Sequence, residues 1–298
     1  MKQLLLLALL ATAELQAQTT NQLTLYFIPS PKGMDWSTPK KLAWSALQNR
    51  LSFQSHFMGH VFVGLECGEK KELTGQVGKN FDYLTQLLLN QRGLGILYHS
   101  FDGALEDRAD VEEELKELTK VEGRLNFVGF KLNEAQCSRA LKYLTEYRAK
   151  NVGRHYGLAN RPLYGEGAGC SAFGASFAEV TGVLNTELKD AWSQSVDIPL
   201  AFAGPPLKDQ GVSLFKVMFN AKRWAKGHEP HQTLMFWDPD RMYNWVAQKI
   251  PKAEVEKQFM VKELGLSKGI IYDKSYLPAP EGSIWKQHLD PNLKTTKK

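Results

Sequence analysis

The stretch Tyr164-Gly165-Glu166-Gly167-Ala168-Gly169-Cys170-Ser171-Ala172-Phe173 decides how this 298-residue chain is read. Glycines at alternate positions lead into one cysteine, after which Phe173, Phe177 and Val180 recur at spacings of four and three. That period is the apolar face of an α-helix, so the chain passes from a glycine-rich loop into a helix whose first turn holds Cys170. Backbone N–H groups in a first turn have no partner inside the helix, and the positive end of the helix dipole favours a thiolate there. Without Cβ atoms, Gly165, Gly167 and Gly169 let another chain or an acyl group approach the backbone closely. Free cysteine is also among the most buried residue types, so the same stretch reads equally as a small apolar residue packed beside a loop.

Working upstream, Asn133 with Gln136 has the form of a capping box. Cys137, Leu141, Leu144 and Tyr147 continue one helical face to about Arg148. Arg124 to Leu132 alternates like a strand, and Val111, Leu115, Leu118 and Val121 stripe a charged helix. Ile96 to Phe101 reads as a strand and Phe81 to Asn90 as a helix. His60 to Cys67 and Glu72 to Val77 read as a β-hairpin with the loop Gly68-Glu69-Lys70-Lys71, and Leu23 to Ile28 is a short strand ended by prolines. Downstream, Gly182 stops the cysteine helix, and Pro199, Pro205 and Pro206 mark an irregular connection. Ser213 to Phe219 and Gln232 to Trp237 are strand candidates, and Asp238-Pro239 opens a helix through Trp245. This order of elements predicts an α+β fold.

Met1-Lys2 followed by the apolar run Leu4 to Leu10 and then Ala11, Ala13 and Ala17 has the form of a signal peptide cut after Ala17. The expectation is a secreted or periplasmic protein, with a retained anchor as the alternative. No later segment is long and apolar enough to be a transmembrane segment. The net charge of +5 is spread without a dense basic stripe, which suits anionic envelope material and argues against nucleic acid. Three cysteines leave at least one unpaired unless it bonds another chain. Cys67 ends a strand and Cys137 lies in a helix, so either suits a core, and Cys170 is the natural leftover thiol.

Seven histidines compete to serve as a base for Cys170. His60 opens a β-rich strand directly after Gly59, so its side chain can project from a fixed strand end into a cleft. His155, in Arg154-His155-Tyr156-Gly157, is the main rival; His56 lies in a polar stretch and His99 inside a strand. His228 and His231 flank Pro230, but no third ligand stands at a metal-site spacing, so no metal is expected. No glycine run has phosphate-loop context, and no cofactor is expected.

Gly59-His60-Val61-Phe62-Val63-Gly64-Leu65, taken with Tyr156-Gly157 and Gly169-Cys170-Ser171-Ala172-Phe173, resembles the NlpC-type papain-like cysteine hydrolases in their circularly permuted arrangement. There the histidine strand precedes the cysteine helix, as it does in lecithin–retinol acyltransferase and its bacterial relatives. The resemblance covers residues 55–182. It departs from the family at Gly169, where many members carry Asp or Asn. It implies a papain-like permuted core with an antiparallel sheet packed on the cysteine helix. Cys170 would be the nucleophile and His60 the base, and a polar residue on the next strand would orient the imidazole. Thr74, Gln76 and Glu72 are the choices there, and Gln76 is preferred because an amide accepts from an imidazole N–H without adding charge. Tyr156, with the backbone at Gly169 and Cys170, would bind the oxyanion and substrate. The implied activity is a cysteine peptidase or amidase acting on peptides of the cell envelope, with peptidoglycan leading. The alternatives are a lipid-directed acyltransferase or thioesterase, and a non-catalytic envelope-binding protein of the same fold.

The chain therefore divides into a signal peptide (1–17), a catalytic core (18–182), a C-terminal extension (183–285) and a lysine-rich disordered tail (286–298). The extension carries Trp192, Trp224, Trp237, Trp245 and Trp285 with Phe202, Phe215, Phe219 and Phe236, too much aromatic surface to leave in water. It is expected to pack on the core and wall the Cys170 cleft.

Overall fold

In the strand β1 (Gln22–Ile28), Leu23, Leu25 and Phe27 point to one face and are fully buried. The computed structural model, which describes residues 21–52, 56–79 and 90–287, places β1 near the middle of an eight-stranded sheet. The expected signal peptide (1–17), nearly all of the helix expected at 81–90, and residues 288–298 of the expected tail lie outside the described residues.

β2 (His60–Cys67) and β3 (Lys70–Gly78) form a hairpin beside β1. Cys67 pairs with Lys70, so the loop is Gly68-Glu69 alone, shorter than the four residues expected. β4 (Phe101–Leu105) and the short β6 (His155–Tyr156) extend that side. On the other side β1 pairs with β5 (Asn126–Lys131). β7 (Ser193–Pro199) and β8 (His231–Trp237) form a separate antiparallel ribbon. β9 (Phe259–Leu264) and β10 (Ser267–Asp273) complete the main sheet, with β10 parallel to β5. The sheet is thus mixed rather than antiparallel throughout, within an α+β fold.

Register places Phe27, Val61 and Leu25, Val63 on one face, and Tyr26, Ile28 and Phe62 on the other. The first face is covered by α3 (Glu134–Ala149) and α4 (Cys170–Val180), and the second by α2 (Arg108–Leu118), through Val111, Leu115 and Leu118. Asn133 and Gln136 close a reciprocal capping box at the start of α3. Cys67 at the end of β2 and Cys137 in α3 form a disulfide across 70 residues of sequence, and Cys170 stays free.

Residues 183–287 share this core. Trp192, at the end of α5 (Thr186–Trp192), packs edge-on against Phe27 with ring centroids 5.6 Å apart. Met242, Trp245 and Val246 of α7 (Pro239–Lys249) join the same cluster, as do Ile270 and Tyr272 of β10. A second cluster joins α1 (Pro39–Arg50), the 3-10 turn Leu94–Tyr98, the ribbon and α6 (Leu214–Asn220).

Two elements differ from expectation for local reasons. Ile96–Phe101 is not a strand: its apolar residues bury in the 3-10 turn, and the strand starts only at Phe101. Ser213–Phe219 is helical because the Ser213 side chain accepts from the Lys216 N–H, and Val217 and Met218 bury together on one side. A short apolar run alone does not separate these possibilities.

Candidate functional site

Cys170 is the first residue of α4, whose Phe173 and Phe177 are fully buried and fix the helix against the sheet. Gly169 is the N-cap, and its carbonyl accepts from the Phe173 N–H at 2.9 Å. The preceding loop is held down at Gly167, whose φ is +93° and where a Cβ would lie 2.1 Å from the His155 carbonyl oxygen. Only glycine lets the loop lie this close to β6. Ala168 N–H then donates to that same carbonyl, and Tyr156 on β6 comes to rest beside the cysteine, its hydroxyl 3.8 Å from Cys170 Sγ.

His60 heads β2 and is almost completely buried. Its Nε2 lies 2.8 Å from Glu106 Oε2, and the Cys170 side chain is its other polar neighbour. With Nε2 committed to Glu106, Nδ1 is the nitrogen left to face the sulfur. Glu106 follows directly on β4. Its backbone N–H donates to the Gly75 carbonyl, and its carbonyl accepts from the Thr74 hydroxyl. A second opening for the carboxylate is the absence of a side chain at Gly75. A Cβ there would sit 2.1 Å from Glu106 Oε2 and 3.0 Å from His60 Nε2.

Gln76, expected to orient the imidazole, does not touch it. Phe62 pairs with Gly75 and Val63 with Thr74, so Thr74 and Gln76 point to the face opposite His60. Gln76 is fully buried there: its amide donates to the Gly153 and His155 carbonyls, and its oxygen accepts from the Tyr147 hydroxyl. Glu72 meets Arg148 at the sheet surface. The rival base His155 accepts from Arg154 and does not line the cleft. His56 does reach the site: its ring stacks on His60 at 4.2 Å, 10° from parallel, and its Nε2 lies 2.7 Å from Glu114. Among the described residues no three His, Cys, Asp or Glu side chains group as a metal site.

The electrostatics follow from this packing. Burial alone would raise the Cys170 thiol, but the His60 charge and hydrogen bonds from His60, Tyr156 and the Val61 backbone bring it below its ordinary value. Burial opposes charge on His60, yet the neighbouring sulfur and Glu106 push it up to about 10. Both shifts favour the thiolate–imidazolium form of the pair. Burial and the Cys170 charge hold the Tyr156 hydroxyl well above the usual phenol range, so it stays a donor toward the sulfur and whatever binds beside it.

The cleft over this pair has largely apolar walls. Met34, Trp36, Phe57 and Met58 come from the segment between β1 and β2, Ile96 and Leu97 from the 3-10 turn, and Phe236 and Trp237 from β8. Glu106 was the residue hidden from sequence reasoning. Its signal was a carboxylate directly after a strand that pairs with β3, visible only once that strand is placed at 101–105. Compared with family models, curated proteins and solved structures, the chain matches none of them.

Proposed function

We propose that this chain is an exported cysteine hydrolase that cleaves an acyl bond, built as a circularly permuted NlpC-type papain-like core. The observation carrying the proposal is the buried relay Glu106–His60–Cys170 with the Tyr156 hydroxyl beside the sulfur. The thiolate attacks the substrate carbonyl, and the resulting oxyanion takes hydrogen bonds from Tyr156 and the Cys170 backbone N–H. Collapse breaks the bond to the leaving group, which takes the proton from the His60 imidazolium. Water then gives a proton to His60 and attacks the thioester, releasing the acid, expelling the thiolate and restoring the thiolate–imidazolium pair. Glu106 fixes the ring and balances its charge through both halves of the cycle. The disulfide supports a location outside the reducing cytosol.

For the bond, an amide or peptide of the envelope is the first reading, with peptidoglycan peptides as its leading substrate. The apolar cleft walls favour a second, in which the acyl group is a lipid chain bound as an ester or thioester. The test is labelling with acyl electrophiles of both kinds, followed by intact mass and mapping of the modified residue. Adduct on Cys170, lost in Cys170→Ala and slowed in His60→Ala, supports the hydrolase. Equal labelling of wild type and Cys170→Ala overturns it and leaves a binding protein of this fold. Preference for a peptidyl or an alkyl probe separates the two substrate readings.

A further inference from the structure

α1 and α6 lie side by side in opposite directions. The Lys40 N–H at the start of α1 donates to the Ala221 carbonyl beyond the end of α6. Arg50 at the end of α1 and Leu214 at the start of α6 line one cavity. Their inner faces bury Leu42 and Val217 and, with Ala46, Leu47 and Leu214, line a small apolar cavity of about 60 Å³. Met34, Phe57, Met58, Ile96 and Leu97 border both this cavity and the Cys170 cleft, so the two adjoin.

The outer faces of the same helices are apolar too. On α1, Trp44 and the C-cap residue Leu51 stand two turns apart on this side; Trp44 is 39% and Leu51 62% exposed. On α6, Phe215 and Phe219 are 63% and 57% exposed and stack on each other, their ring planes 3° apart. Four large apolar side chains held in water on two packed helices are not accounted for by folding. The segments that carry them are cationic. Residues 30–58 and 203–230 together hold nine Lys or Arg against three Asp or Glu, whereas the whole chain has a net charge of +5. Asp35 and Glu229 are already paired with Lys41 and Arg223, which leaves the cationic excess facing outward.

Exposed aromatics on segments rich in exposed lysines match a headgroup region: the rings enter the interface and the ammonium groups meet phosphate. We propose that the outer faces of α1 and α6, whose inner faces line the apolar cavity beside the Cys170 cleft, dock this protein on an anionic lipid surface. The exposed Trp44, Leu51, Phe215 and Phe219 select a lipid surface over an anionic polymer, because a polymer would leave these apolar side chains unused. The docking requires no step of the Cys170 chemistry, so it stands or falls separately from the hydrolase.

The test uses the full chain with vesicles of phosphatidylcholine containing phosphatidylglycerol, and with phosphatidylcholine alone. Binding is measured by flotation and located by amide hydrogen exchange. The expected result is binding to the anionic vesicles with protection confined to residues 39–51 and 214–221. Phe215→Ser/Phe219→Ser and Lys40→Glu/Lys216→Glu each weaken it at least tenfold, and Cys170→Ala leaves it unchanged. These residues are exposed, and circular dichroism confirms that the variants fold. No binding by wild type, equal binding by both double variants, or protection elsewhere, as through residues 1–17, overturns the proposal. So does equal protection by dextran sulfate, or protection that grows with protein concentration without vesicles, which would mark a second copy as the occupant.

Discussion

His60 meets Glu106 at 2.8 Å and His56 meets Glu114 at 2.7 Å, and the two imidazoles lie face to face at 4.2 Å. Both rings are buried, so burial pushes both toward the neutral form. They nevertheless shift in opposite directions. His60 has the Cys170 sulfur as a further anionic neighbour and is raised; His56 has the His60 cation as its neighbour and is lowered. The same residue pair at the same distance thus carries a charge in one place and not in the other. What separates them is the thiolate, which makes Cys170 the electrostatic origin of the site as well as its nucleophile.

Removing that origin has the largest expected effect. Cys170→Ala abolishes covalent labelling and turnover, and it also takes away the anion that holds the proton on His60. The imidazole pKa, followed by NMR, should fall in this variant while that of His56 rises as its cationic neighbour is lost. An unchanged His60 pKa would break the comparison, because Glu106 alone would then account for the shift.

His60→Ala comes next. Loss of the proton carrier costs about 10²- to 10⁴-fold in kcat/KM. Alkylation of Cys170 by a neutral reagent should then shift to the pH range of an ordinary or burial-raised thiol. His56→Ala should produce neither change at comparable size. Similar losses in the two variants would mean that the pairs share the proton transfer.

Glu106→Gln and Gly75→Ala should both displace the imidazole, the first by removing its anchor and the second by filling the anchor's space. A displacement on the order of 1 Å costs about 10²-fold. Because they act on one contact, the double variant should be no worse than the poorer single one. Full additivity would show that Gly75 acts on something other than this pair.

The same two residues mark where the sequence stops being legible. β1, β2, β5, α3 and α4 could be read because their apolar periods coincide with what they bury, and Cys170 and His60 because each begins such an element. Glu106 could not. The run Leu94–Tyr98 resembles a strand and so drew the β4 assignment several residues too early. The position facing His60 on β3 is a glycine, which advertises no chemistry. Gln76, one residue away, is polar and on the correct strand, yet the two-residue period of β3 sends it to the opposite face. Beyond Gly182, β9 was missed because Met260, Val261 and Leu264 of this edge strand are exposed among charged neighbours, leaving no alternation to read.

The smallest effect on rate belongs to His56→Gln, expected at only a few-fold, and its main readout is stability against pH. A group whose pKa is lowered on folding holds fewer protons folded than unfolded, so its contribution fades as pH falls below the unfolded value of about 6.5. His60 works in the other direction. Raised to about 10, it contributes fully below pH 6.5 and loses that contribution as pH climbs through 10. Wild type should therefore lose stability at the acid side through His56 and at the alkaline side through His60. In His56→Gln, thermal melts between pH 4.5 and 6.5 should fall less steeply than in wild type, while the alkaline limb is unchanged. Glu114, Glu106 and His60 are the charged groups facing His56, so the acid limb must be compared with that of Glu114→Gln. If both limbs move together in His56→Gln, the two rings titrate as one unit and the contrast between the pairs dissolves.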